Sequence, residues 1–128
     1  MKLLLDTHIF LWADSAPAKL SASIEALLVG TEHERLLSSV SLWEMQLKSQ
    51  LGKLTLRLPL QEMVEDQVAR NGFRVLPITP QHIFELASLP ALHTDPFDRL
   101  LVAVARVENA ILLTADSALQ AYPVSTAY

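Results

Sequence analysis

Lys2-Leu3-Leu4-Leu5-Asp6-Thr7-His8 opens the chain with an apolar run that has no polar alternation and stops at an acid. A strand with one wet face alternates apolar and polar residues, whereas an unbroken apolar run suits a strand covered on both sides. Lys2 to Leu5 therefore predicts a central strand, with Asp6 at its carboxyl end. Further strands are expected at Arg35–Ser38, Phe73–Leu76, Ala110–Leu113 and, as a short last one, Val124–Thr126. Between them the apolar periodicity predicts helices over His8–Ala13, Leu20–Val29, Val40–Leu51, Leu60–Asn71, Pro80–Leu89 and Phe97–Glu108, with Gly30 and Gly72 as helix ends. Gly52–Pro59 reads as a connector and Pro90–Pro96 as a polar loop. Strands alternating with helices imply right-handed crossovers and a central, mainly parallel sheet, that is, a three-layer α/β/α sandwich. Ligands of such sheets bind beyond the carboxyl ends of the strands.

The chain's 128 residues suit one domain, 1–128, and 51% hydrophobic against 19% charged residues excludes a disordered chain. A formal net charge of −4 disfavours long-range attraction to a polyanion, so any nucleic-acid contact must be local. Met1 to Leu5 imitates the start of a secretory signal, but Asp6, His8 and Asp14 interrupt it, and no apolar stretch is long enough to span a membrane. A cytoplasmic protein without membrane association is expected. With no cysteine, disulfides and thiolate metal sites are excluded, and oxygen ligands are the expected metal chemistry.

Candidate chemistry lies in the acids. Asp6 follows the first strand, and Asp116 follows the fourth with only Thr114 and Ala115 between it and Leu113. On the helix after Ser38, Val40, Trp43, Glu44, Leu47 and Leu51 share an arc of about 100°, which puts Glu44 in an apolar stripe. Asp98 shares a face with Leu101, Val102 and Ala105, although topology alone does not bring it to the same edge. A buried acid needs a cation, a donor set or a proton. Each acid also has a structural reading: Asp95 before Pro96 has the form of a helix N-cap, Asp98 of a first-turn carboxylate, and Asp6 and Asp116 of strand-end turn residues. Taken together, clustered carboxylates predict Mg²⁺ or Mn²⁺, which prefer oxygen ligands and support phosphodiester hydrolysis.

These residues resemble the PIN-domain nucleases and, among them, the VapC-like ribonuclease toxins of type II toxin-antitoxin systems. The resemblance spans nearly the whole chain. It is carried by Leu4-Leu5-Asp6-Thr7-His8, Ser39-Val40-Ser41-Leu42-Trp43-Glu44, Leu51-Gly52-Lys53-Leu54, His93-Thr94-Asp95-Pro96-Phe97-Asp98-Arg99-Leu100-Leu101 and Leu112-Leu113-Thr114-Ala115-Asp116. It implies a PIN-like fold, an acidic catalytic and metal site of Asp6, Glu44, Asp98 and Asp116, and Thr114 as a polar support, with Asp95 open as a further contributor. It further implies a Mg²⁺- or Mn²⁺-dependent endoribonuclease with an RNA substrate, a cognate antitoxin and a homodimeric state.

Lys48, Lys53 and Arg57 lie in an acid-free stretch and are candidates for RNA phosphate contact or for ordinary solvation. Arg99 is expected to pair with a neighbouring acid. His8 and His93 are expected as solvent-facing or capping groups rather than metal ligands. Two alternatives stay open. One is a phosphohydrolase or phosphotransfer domain with Asp6 as nucleophile, which lacks a second acid at His8 and a lysine after the fourth strand. The other is a non-catalytic PIN-like domain that binds a metal or a partner.

Overall fold

A computed structural model describes residues 1–92 and 95–128. Its strands are β1 (Lys2–Leu5), β2 (Glu34–Ser38), β3 (Arg74–Leu76), β4 (Ile111–Leu113) and β5 (Thr126–Ala127). They form one five-stranded sheet in the order β3-β2-β1-β4-β5, parallel at every pairing. The helices are α1 (Thr7–Ser15), α2 (Ala22–Val29), α3 (Ser39–Gln50), α4 (Leu60–Asn71), α5 (Pro80–Glu85), α6 (Pro96–Glu108) and α7 (Ser117–Gln120). This is the expected three-layer sandwich, with β1 at its centre.

The two-residue period of a strand sends successive side chains to opposite faces. Leu4, Leu36 and Leu112 accordingly join a core under α6, together with Leu101, Val102 and Val104. Leu3, Leu5, Leu37 and Leu113 join a second core with Ile9 and Phe10 of α1, Ile24 of α2 and Met63 of α4. Phe10 and Phe73 meet edge-on within it, their ring centroids 5.5 Å apart. Burying each of these leucines contributes about 1.5–3 kcal/mol, so the unbroken apolar run of β1 is what two-sided burial requires.

Most boundaries lie within a residue or two of expectation. The predicted Pro80–Leu89 helix ends at Glu85 and continues as a 3-10 turn, Leu86–Ser88. The last strand lies at Thr126–Ala127 rather than Val124–Thr126, because Leu112 and Thr114 donate to the carbonyls of Ser125 and Ala127. Val124 instead turns its N–H back to Tyr122. Gly72 ends α4 in the left-handed conformation, φ 68°, whereas Gly30 ends α2 with an extended backbone, φ −61°. Among the described residues, no helix is long and apolar enough to cross a membrane.

Away from the carboxyl edge, one ion cluster holds the 51–59 connector. The fully enclosed Asp14 carboxylate accepts from Arg57 Nη2 at 2.8 Å and Nε at 3.1 Å, from Gln67 at 2.8 Å and from Ser15 at 2.6 Å. Arg57 also reaches Asp66 at 3.1 Å. Burial alone would raise the Asp14 carboxyl, but these donors outweigh it and hold it below the ordinary 3.8. Its contribution to stability is complete above that value and is lost as pH falls through the lower folded value. Asp14→Ala should cost about 2 kcal/mol in urea unfolding at neutral pH, and the deficit should shrink progressively below about pH 4; an unchanged midpoint would show that the cluster does not hold the connector.

Candidate metal centre

From β1 the chain runs outward through β2 to β3, then returns to the other side of β1 through β4 to β5. Such a reversal of strand order opens a crevice at the carboxyl ends of the two central strands. Leu5 and Leu113 are register partners there, and the Asp6 N–H donates to the Leu113 carbonyl at 3.0 Å. Asp6 and Thr114, the residues that follow, both face this edge.

Asp6 is the N-cap of α1 and only 5% exposed; its carboxylate accepts from the Ile9 N–H at 2.7 Å and from the Thr114 hydroxyl. The Thr114 hydroxyl in turn accepts from the Asp116 N–H at 3.0 Å, giving it the supporting position expected from its spacing. Burial pushes the Asp6 carboxyl above its ordinary value; the Thr114 and Ile9 hydrogen bonds and His8 oppose the rise, and the nearby Glu44 adds to it. Glu44, 2% exposed, projects from α3 and accepts from the Thr7 hydroxyl at 2.6 Å. Thr7 also lies 3.0 Å from the Ser41 hydroxyl. Lys48, one helical turn beyond Glu44, forms an ion pair with it.

The apolar arc expected on α3 is split. Val40, Ser41, Glu44 and Met45 are buried, while Trp43 and Leu51 lie on the exposed side, where Trp43 meets Phe97 edge-on at 4.8 Å. The sheet and α6 can cover only one arc of the helix, and the smaller side chains at 40 and 41 fit beneath it. Asp95 caps α6, accepting from the Phe97 N–H at 2.9 Å, as its position before Pro96 predicts. Asp98 lies half-buried in the first turn of α6. The α6 helix runs back along the sheet and enters β4 after a two-residue turn, so its amino end reaches the carboxyl edge. Both Asp95 and Asp98 act electrostatically on Lys48.

Asp116 stands apart. It caps α7, accepts from the Ala118 N–H at 2.9 Å, and is exposed. His8 is exposed, and His93 lies outside the described residues. Arg99 donates to the Pro90 carbonyl at 2.9 Å and the Tyr122 hydroxyl at 3.2 Å, so its expected acidic partner is replaced by neutral acceptors among the described contacts. Arg57 is engaged by Asp14 and Asp66, and Lys53 is exposed in the turn after α3. Two contributors escaped the sequence reading, Thr7 and the pairing role of Lys48. The second was signalled by the i, i+4 spacing of Glu44 and Lys48.

The donor set suits a hard divalent ion in kind, since its acids offer oxygen ligands only. Among the described residues, however, no three His, Asp or Glu side chains are gathered so as to hold one. What the site does hold is a cation: pairing with Glu44, reinforced by the fields of Asp95 and Asp98, outweighs partial burial and raises Lys48 above the ordinary lysine value. The Lys48 ammonium is thus a stand-in ion showing that this edge accepts positive charge.

An α/β sandwich with acids at its strand-order reversal is a recognised protein class, and residues 3–124 match the PIN domain. The chain belongs to the PIN domain family. Its fold is shared by the solved structure of VapBC2 from Rickettsia felis bound to a DNA fragment from its promoter, at 20% identity and TM-score 0.76, covering 99% of this chain and 98% of that one. It is likewise similar to DNA-bound VapBC from Salmonella typhimurium (16%, 0.69, 99% and 97%) and to VapBC-1 from nontypeable Haemophilus influenzae (16%, 0.68, 99% and 97%). No curated protein matches the chain.

Ionising the buried Asp6 beside Glu44 costs the metal-free fold free energy, whereas Asn would keep an acceptor for Ile9 and Thr114 without the charge. A raised folded value means that wild-type stability declines as pH rises through 3.8 to that value, with no further change from this group above it. Asp6→Asn should therefore raise the metal-free Tm at neutral pH by about 4 °C, corresponding to about 1 kcal/mol, and the gain should vanish at low pH. A lower Tm in chelator-treated protein would contradict this account of Asp6.

Proposed function

We propose that this protein is a metal-dependent endoribonuclease, the toxin of a toxin-antitoxin pair, hydrolysing RNA phosphodiester bonds at the carboxyl edge of β1 and β4. The observation that carries the reading is the meeting of Asp6, Glu44 and the amino end of α6 at the strand-order reversal of a PIN domain, with a cation already among them. Asp6, Glu44 and Asp98 would hold Mg²⁺ or Mn²⁺, with Asp116 joining from the rim and Asp95 shaping the first turn of α6. When bound, such an ion lowers the pKa of a coordinated water and neutralises charge on a phosphoryl oxygen.

The chain's own residues do the positioning. Thr114 fixes the Asp6 carboxylate and the backbone of Asp116 through one hydroxyl, and Thr7 fixes Glu44. Asp95 caps α6 and so orients the turn that carries Asp98. Lys48 and Lys53 supply positive charge for RNA phosphates in a protein whose overall charge is negative. A solved toxin-antitoxin complex from Klebsiella pneumoniae shares this fold, which supports a cognate antitoxin as partner. A homodimer and a cytoplasmic location complete the reading.

The test is cleavage of a mixed pool of transfer, ribosomal and messenger RNA by the purified protein with Mg²⁺ or Mn²⁺. Discrete fragments should form, disappear with chelator, and fall at least about a hundredfold in Asp98→Asn, as expected for losing about 2.7 kcal/mol of transition-state stabilisation. Cleavage that persists unchanged in folded Asp98→Asn would remove this site from the reaction.

A further inference from the structure

We propose that Lys48 is a resident counter-ion of the acidic edge, and that its ammonium competes with a divalent ion for the charge of Glu44. This inference rests on the metal-binding reading above and adds the competitor that tunes it. Glu44 is 2% exposed and Asp6 5%, and their carboxylates repel each other. Gathering such charges without a cation is costly. Among the described residues, Lys48 is the cation paired to Glu44, at Oε2, and Asp95 and Asp98 also act on it. Arg57, Arg99 and Arg106 are committed elsewhere, to the Asp14 cluster, to Pro90 and Tyr122, and to Glu85.

The ammonium and a metal ion compete for the same negative charge. A divalent ion of the Mg²⁺ type also takes carboxylate oxygens, and two cations held at one carboxylate repel each other, so the Lys48 pairing on Glu44 Oε2 opposes its entry. Lys48 also has a way out. Its side chain is 35% exposed, on a flexible stem that can swing into solvent without disturbing the buried Glu44–Thr7 hydrogen bond. Metal binding therefore competes with this pairing, which weakens the measured affinity.

Mn²⁺ binding by calorimetry to the whole, chelator-stripped protein tests this without reference to activity, comparing wild type, Lys48→Met, Lys48→Arg and Asp98→Asn. Lys48→Met should bind Mn²⁺ about tenfold more tightly than wild type, a difference of about 1.4 kcal/mol, and its metal-free Tm should fall because Glu44 loses its partner. Lys48→Arg should return both quantities towards wild type, which a packing effect would not do. Should Lys48→Met fail to fold, Lys48→Gln provides the same comparison with a polar, uncharged end. Equal or weaker Mn²⁺ binding in the uncharged variants, with binding still lost in Asp98→Asn, would overturn the competition while leaving the metal reading intact. Failure of wild type and Lys48→Met alike to bind Mn²⁺ at the Asp98-dependent site would overturn both.

Discussion

Carboxylates brought together out of water need compensating positive charge or donors, and this constraint organises the carboxyl edge of the sheet. Asp6 is nearly enclosed and meets it with a backbone N–H and the Thr114 hydroxyl, and Glu44 meets it with the Thr7 hydroxyl and the Lys48 ammonium. Those partners come from α1, α3 and the segment after β4, so satisfying the charges and assembling the fold are one event. The strand-order reversal provides the place; the electrostatics determine which side chains must occupy it.

Three of the acids are also helix caps. Asp6, Asp95 and Asp116 each accept the backbone N–H groups that open α1, α6 and α7. A structural and a functional reading of such residues are therefore compatible. A cap uses one carboxylate oxygen for the helix start and anchors the side chain, which leaves the other oxygen aimed with little rotational freedom. Glu44 differs, because it lies within a helix and is held by a hydroxyl and an ammonium. Its orientation depends on tertiary partners, and Thr7 and Lys48 are as much part of its placement as α3 itself.

The framework away from the edge supports this arrangement at a distance. Asp14 and Arg57 tie the connector after α3 to α1 and α4. Since α3 carries Glu44 and Lys48, a connector fixed at its far end limits how far that helix can rotate or slide. Arg57 consequently has a structural occupation that its basic sequence neighbourhood did not reveal, while Lys53 remains exposed.

Local chemistry determined much of this protein. The unbroken run Leu3 to Leu5 is intelligible only as a strand covered on both faces, Asp95 before Pro96 as a helix start, and Asp6 and Asp116 as residues that follow strands, because these features depend on neighbours a few positions away. Tertiary structure alone decided which arc of α3 is buried, separating Val40 and Glu44 from Trp43 and Leu51. It decided that Arg99 meets Pro90 and Tyr122, and that Lys48 turns into the acids instead of out to solvent. Helical periodicity defines arcs without saying which one meets the sheet, and a charged side chain has several candidate partners until packing brings one of them near. That is why the acids of the candidate site were legible along the chain, whereas the i, i+4 spacing of Glu44 and Lys48 only allowed a pairing that the fold then selected.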